Sequence, residues 1–480
     1  MISSGLSKKI NIFCLLAAIT AVLLLPLKKE IWYDETVTIL CSKGFSHDSP
    51  AVFANTNTVS SETLGKLNTA ANVFDATVID NSNSYLFNIG LHYFTMFFGN
   101  GITVSMLFSK LCGIATLIAF YFLCNLFFEG SLFTSAAILL LVTDNTFMGM
   151  SHEIRAYSMG IFFVTLAAIY FYKFMYRAEK PIYLFLLGLF SVGAILSHFL
   201  ALYIILVFLG ALLIKKKLTL FSFKNIIALL IPVCILALFF YCAFSGLQLM
   251  SQQNQAIQQK KFADGFSLAE VFFRSMKYFA INFSVVFPAL INKNIASFFS
   301  FLLIIFLYIA GLKSTATQTE KRNLHLLFIL GISGSLFLAF LSIKSHHYTS
   351  LYFRYYSFCI PFAALFSCYL LLVFFKNPKV NKLFSWAVLL VIMLPSCVLS
   401  FIGNFIAKPK IHNNYNLVAH QAITEKVIKI EVPEWEDAFM LHSLLPEGYK
   451  IDYVLNPASA YFTLYTTNTT EKVLVIKDRS

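Results

Sequence analysis

The 480-residue chain is 58% hydrophobic with a mean hydropathy of +0.75, and 12% of its residues are charged. A soluble globule carries roughly 25% charged residues, and repeated apolar runs of about 17–22 residues are long enough to cross hydrocarbon, so an ordinary soluble protein is excluded. The net charge of +13 could suggest nucleic acid, but Lys and Arg fall mainly in short loops between apolar runs. That is the pattern of cytoplasmic retention and anionic headgroups, and no nucleic-acid partner is expected.

The first run, about 11–27, follows Lys8 and Lys9 and reads as a membrane anchor, because no small-residue cleavage site follows it. Just beyond it, IWYDETVTIL at 31–40 carries an adjacent acidic pair, Asp34 and Glu35. A polar stretch rich in Ser, Thr and Asn then runs to about Ser84, long enough to be functional, with short surface helices expected within 62–74. Residues 85–98 form a short apolar segment ending at Gly99.

Further runs lie at about 103–128, 131–150, 156–176, 182–197, 199–214 and 225–244. A second long loop, 245–295, contains a Gln-rich stretch, and its part 268–280 has the spacing of an interfacial helix. Runs at about 295–312, 323–343, 355–376 and 383–402 complete about eleven spans. Of the nine cysteines, only Cys41 is expected in a loop; the others sit in apolar runs as small hydrophobes, without disulfide or zinc spacing.

Placing the N-terminus in the cytoplasm collects Lys8, Lys9, Lys173, Arg177, Lys180, Lys215–Lys217, Lys224, Lys313, Lys321, Arg322, Lys376, Lys379 and Lys382 on one side. Both long loops and the tail then lie outside. The chain divides into a membrane domain, 1–403, with outer loops 28–84 and 245–295, and a small extracytoplasmic α/β domain, 404–480. The strand-like segments of the latter are KVIKIEV, KIDYVL and KVLVIK, with a helix around 435–445.

This topology brings Asp34 and Glu35, then His152, Glu153 and Arg155, then His198, and finally His346, His347 and Arg354 to the outer ends of spans. Each has an ordinary reading alone: an interfacial histidine for His198, a snorkelling anchor for Arg354, a helix-end pair for Glu153 and Arg155. Together they point to chemistry, since charges at membrane depth are costly. A lipid-linked phosphate needs a cation, for which Arg is suited. An acceptor hydroxyl needs a carboxylate to take its proton, and an oxocarbenium-like sugar is stabilised by nearby negative charge.

The ordered pieces WYDETVTI, IDNSNSYLFNIGLHYFTMFFGN, SHEIRAYSMGIFF, SHFLALY and RYYSFCIPFAALF resemble the GT-C class of membrane glycosyltransferases. That class holds the protein O-mannosyltransferases and the lipid A aminoarabinose transferase. The resemblance implies a GT-C-like polytopic α-helical protein that transfers a sugar, with inversion, from a polyprenyl-phosphate donor to a protein, lipid or glycan acceptor. It implies Asp34 as base with Glu35 beside it, Asp80, Asn83 and His92 bordering the donor cavity, and Arg155 and Arg354 near the lipid phosphate. His152-Glu153-Ile154-Arg155 departs from the usual Gln-Glu-Ala-Arg. A divalent metal is left open, because no motif at ligand spacing demands one. A bacterial inner membrane is the expected location. The alternatives are a flippase or transporter of lipid-linked sugars, and a glycan polymerase or ligase.

Overall fold

A computed structural model describes residues 4–25, 33–45, 58–60, 68–79, 84–243, 267–282, 293–314, 317–345, 353–377, 415–432, 438, 441–442, 445, 449–455, 461–466 and 472–475. Among them, seven helices are long and apolar enough to cross a membrane, or eight if one bent pair counts as a span. The apolar helices Pro181–Ser197 and Phe301–Ser314 are shorter, and the expected run 383–402 lies outside the described residues.

Helix α1 (Ser4–Leu24) packs into the bundle through Ala18 and Val22, as an anchor does. Its polar residues have work at a turn. Between α5 (Ile102–Phe128) and α6 (Leu132–Thr143), Glu129 and Gly130 both take positive φ, which ends α5 in a left-handed turn. The fully buried Asn11 donates to the Gly130 and Ser131 carbonyls at 2.9 and 3.2 Å, and Ser7 donates to Gly130 at 2.8 Å.

The expected straight span 131–150 is instead broken by 62° between α6 and α7 (Asn145–His152). The cause is Asp144, whose carboxylate accepts the Phe147 N–H at 2.8 Å and so starts a new helix. Gly113 of α5 faces the Ser151 side chain of α7, where an added Cβ would come within 2.7 Å of the Ser151 Cβ, and this lets the broken half lie close.

Helices α8 (Tyr157–Tyr176), α9 (Pro181–Ser197), α10 (Leu202–Leu220) and α11 (Phe223–Cys242) follow. Helix α11 seats Pro232 against Gly188 of α9 and is otherwise largely exposed, as a lipid-facing helix is. Then come α12 (Leu268–Asn282), the helix expected from 268–280, α13 (Lys293–Ser314), α14 (Gln318–Ser345), a 3-10 segment Phe353–Cys359 and α15 (Ile360–Lys376). Helix α15 is apolar on nearly every side and almost wholly buried, the signature of a central helix.

The basic ends of these helices meet. Glu179 pairs with Lys216, the Arg322 guanidinium lies 3.9 Å from the Tyr176 ring centroid, and the Asn377 side chain donates to the Ser314 carbonyl.

A five-stranded sheet forms from β1 (Thr58–Ser60), β2 (Lys429–Val432), β3 (Asp452–Leu455), β4 (Tyr461–Tyr465) and β5 (Lys472–Val475), in the order β1-β3-β2-β4-β5. Strands β2 and β3 run parallel, and the other pairs are antiparallel. The three strands expected in the tail are present; β4 is additional, and β1 comes from the first loop. Helix α16 (Tyr415–Thr424) buries Val418, Ala419 and Ala422 on the sheet beside Ile430, Val432, Tyr453 and Leu464. Of the helix expected around 435–445, Ala438, Leu441 and His442 are helical and the remainder is outside the described residues except Leu445.

Candidate active site at the start of the second helix

The acidic pair does not lie in a loop. It occupies the first turn of α2 (Tyr33–Lys43), which also contains Cys41, fully buried and therefore not a loop cysteine. The sequence DETVTIL is rich in β-branched residues and has weak helix propensity; burial from two sides holds it. Ile39 packs into the bundle with Phe87, Leu91, Ile154 and Ala156, whereas the next residue, Leu40, enters the tail core with Val418, Ile430 and Tyr453. At the far end of α2, half-buried His442 of the tail faces Lys43; burial, with this lysine, pushes the imidazole down to about 4, so it is neutral at neutral pH.

The unpaired N–H groups of a first helical turn favour carboxylates. Glu35 is 2% exposed, and its Oε1 accepts the Ile154 backbone N–H at 2.8 Å. That bond ties α2 to the turn carrying Arg155. Asp34 stands at the mouth, with its side chain 26% exposed. Its Oδ2 lies 2.9 Å from Arg354 Nη1 and 3.7 Å from Arg155 Nη2. Arg155 Nη1 also donates to the Asp34 carbonyl at 3.0 Å and to Thr38 Oγ1 at 3.3 Å, while Thr38 donates to the same carbonyl at 2.9 Å. Arg155 therefore grips the backbone of α2, whereas Arg354 meets the helix at the carboxylate.

Behind the arginines stands an aromatic wall. The His198 ring lies 4.7 Å from Tyr157 and 5.4 Å from Phe358, and the guanidinium groups of Arg155 and Arg354 lie 5.9 and 5.4 Å from the rings of Tyr157 and Tyr355. His198 sits between α9 and the 3-10 turn Phe199–Ala201, where its Nδ1 accepts the Leu200 N–H at 3.2 Å. Burial, with both arginines nearby, pushes it down to about 3. A neutral His198 backs the arginines without adding a third positive charge.

The other expected residues that are described take different positions. His92 on α4 (Tyr85–Phe98) donates from Nδ1 to the Ser42 carbonyl at 2.9 Å, which holds the opposite end of α2, two helical turns from Asp34. His152 ends α7, donates to its own Met148 carbonyl at 2.8 Å, and is 1% exposed. Glu153 is buried next to Arg155 in the same turn. Asp80, Asn83, His346 and His347 lie outside the described residues. Sequence reasoning missed Thr38, although its i+4 spacing from Asp34 places both on one helix face, and it missed the backing rings Tyr157 and Tyr355.

Among the described residues no group of three or more His, Cys, Asp and Glu could hold a metal. Asp34 faces two guanidinium groups and Glu35 is committed to a backbone N–H, so this pair does not fit a cation.

No protein-family model matches the chain, and no curated protein matches it. Among solved structures it is similar to an oligosaccharyltransferase of Archaeoglobus fulgidus. To the archaeal oligosaccharyltransferase AglB in complex with an inhibitory peptide and a dolichol-phosphate, the TM-score is 0.44 at 11% identity, over 95% of this chain and 65% of that one. To the same organism's enzyme in complex with Zn and sulfate, the TM-score is 0.43 at 12% identity, over 94% of this chain and 63% of that one. The chain thus spans just under two thirds of the length of these proteins.

Proposed function

We propose that this chain is an integral-membrane glycosyltransferase that moves a sugar from a polyprenyl-phosphate donor to a hydroxyl or amide of a protein, lipid or glycan. The observation that carries the reading is the Asp34 carboxylate set against Arg354 at 2.9 Å and Arg155 at 3.7 Å, at the end of the bundle opposite the basic loops. The basic loops face the cytoplasm by the positive-inside rule, so the site and the tail face outward, as in a bacterial inner membrane.

Arg354, with Arg155 behind it, neutralises the phosphate. The acceptor atom attacks the anomeric carbon while the bond from that carbon to the phosphate oxygen breaks. The electron pair leaves with the lipid phosphate, held by guanidinium N–H groups, and Asp34 takes the acceptor proton. Glu35 is a positioning residue that sets α2 against the Arg155 turn.

The reading is tested by transfer from a polyprenyl-phosphate sugar in purified protein in lipid. Asp34→Asn keeps the shape and should lower turnover by about 10²–10⁴-fold in protein that remains folded. Normal turnover in Asp34→Asn would remove Asp34 as the base. A carrier of lipid-linked sugars is the second reading, favoured by the broken span at Asp144, since broken helices mark transporter sites. Such a carrier would move donor across vesicles and release no transferred sugar.

A further inference from the structure

The arginines assigned above to a lipid phosphate already hold an anion, and that anion is part of the chain. Asp34 Oδ2 takes Arg354 Nη1 and approaches Arg155 Nη2, in a setting where the two arginine side chains are only 15% and 18% exposed. A second anion cannot use the same Arg354 N–H donor while the carboxylate stays. Arg155 has capacity left: its buried Nε has no hydrogen-bond partner among the described residues. Its Nη1, bonded to the Asp34 carbonyl and to Thr38, keeps α2 in place whatever the carboxylate does.

We propose that Asp34 is a built-in plug of the phosphate site, displaced from Arg354 when a lipid phosphate headgroup binds. This rests on the proposed function and adds an order to it. The carboxylate reaches an acceptor only after the donor has taken Arg354, so donor binds first and acceptor second. One anion replaces another on Arg354, and α2 stays tethered through its backbone. Without donor, the base is occupied and activates no stray hydroxyl or water.

The test measures binding of polyprenyl phosphate, without a sugar, to the full chain in lipid nanodiscs. Wild type, Asp34→Asn, Arg354→Gln and the double variant form a cycle. Removing a charged competitor from a part-buried guanidinium should tighten binding about tenfold in Asp34→Asn. That gain should vanish in the Arg354→Gln background, because it passes through one shared donor. Asp34→Ala serves as a second variant and should show the same gain if the asparagine form is poorly folded.

Unchanged or weaker binding in both Asp34 variants would overturn the plug, as would an equal gain with and without Arg354, which would mean a diffuse field effect. Either result leaves the phosphate reading standing provided Arg354→Gln alone binds more weakly. Wild-type binding in Arg354→Gln would overturn both. Inorganic phosphate forms the second arm: if it binds as tightly as the lipid, the site belongs to free phosphate and the lipid headgroup is overturned.

Discussion

The two ends of the helical bundle both carry ion pairs, and the pairs differ in kind. At the basic end, Glu179 and Lys216 meet on the surface, with side chains 38% and 25% exposed and water free to replace either partner. Such a pair contributes little. At the other end, Asp34, Arg155 and Arg354 converge from three separate elements: the first turn of α2, the turn after α7, and the 3-10 segment before α15. Bringing them together requires most of the bundle to be folded, and their partial burial raises the cost of leaving any one unpaired. The basic end reports how the chain sits in the membrane. The α2 end holds the groups on which the proposed function rests.

The comparison breaks most completely if the ends are reversed. Single cysteines placed at exposed Ala71 and Lys215, in a background lacking the exposed Cys234 and Cys242, separate the two arrangements. An impermeant thiol reagent applied to intact cells should label position 71 fully and position 215 only after permeabilisation. The opposite labelling would put the arginines in the cytoplasm and remove the outward-facing site.

A smaller effect sharpens the distinction between Asp34 and Glu35. Glu35→Ala leaves the Ile154 N–H without its acceptor, a loss of about 1–3 kcal/mol, and should lower both thermal stability in lipid and turnover. Glu35→Gln keeps an acceptor oxygen and should recover most of both. A glutamine variant as inactive as the alanine one, at wild-type stability, would make Glu35 a catalytic carboxylate.

The smallest effect belongs to the basic end. Glu179→Gln should change stability by less than about 1 kcal/mol and leave turnover unaltered. A large loss in folded protein would show that this end is coupled to the site.

Much of the bundle was legible because span-length apolar runs are a local signal, and so was the gathering of Asp34, Arg155 and Arg354 at one end, since topology alone carries span-end residues to a common plane. Their roles were less legible. Asp34 and Glu35 are neighbours in sequence, but a helix turns successive side chains by about 100°; one therefore meets the arginines and the other a buried backbone N–H. Read as loop residues, they had no such difference. His92 was expected near the donor cavity from the family resemblance and His152 from its place at a span end; in the fold the Nδ1 of each meets a nearby carbonyl, of Ser42 and Met148. Strand β1, three residues long, carries no periodic signal at all and exists because β3 offers it an edge.

That short pairing joins the segment after α2 to the tail. Thr58–Ser60 and Leu40 emerge early from the ribosome, yet the strand they need and the core they need lie beyond residue 417, with Thr58 opposite Val454. A three-residue strand does not persist alone, and closing so large a loop waits for the distant partner to exist. Until the tail has been synthesised and folded, the Leu40 flank of α2 is uncovered, while Ile39, Glu35 and Arg155 hold its other flank to the bundle. The tail therefore covers α2 only after the bundle has been made, and a chain interrupted before residue 417 would keep the partners of Asp34 but leave Leu40 without its core.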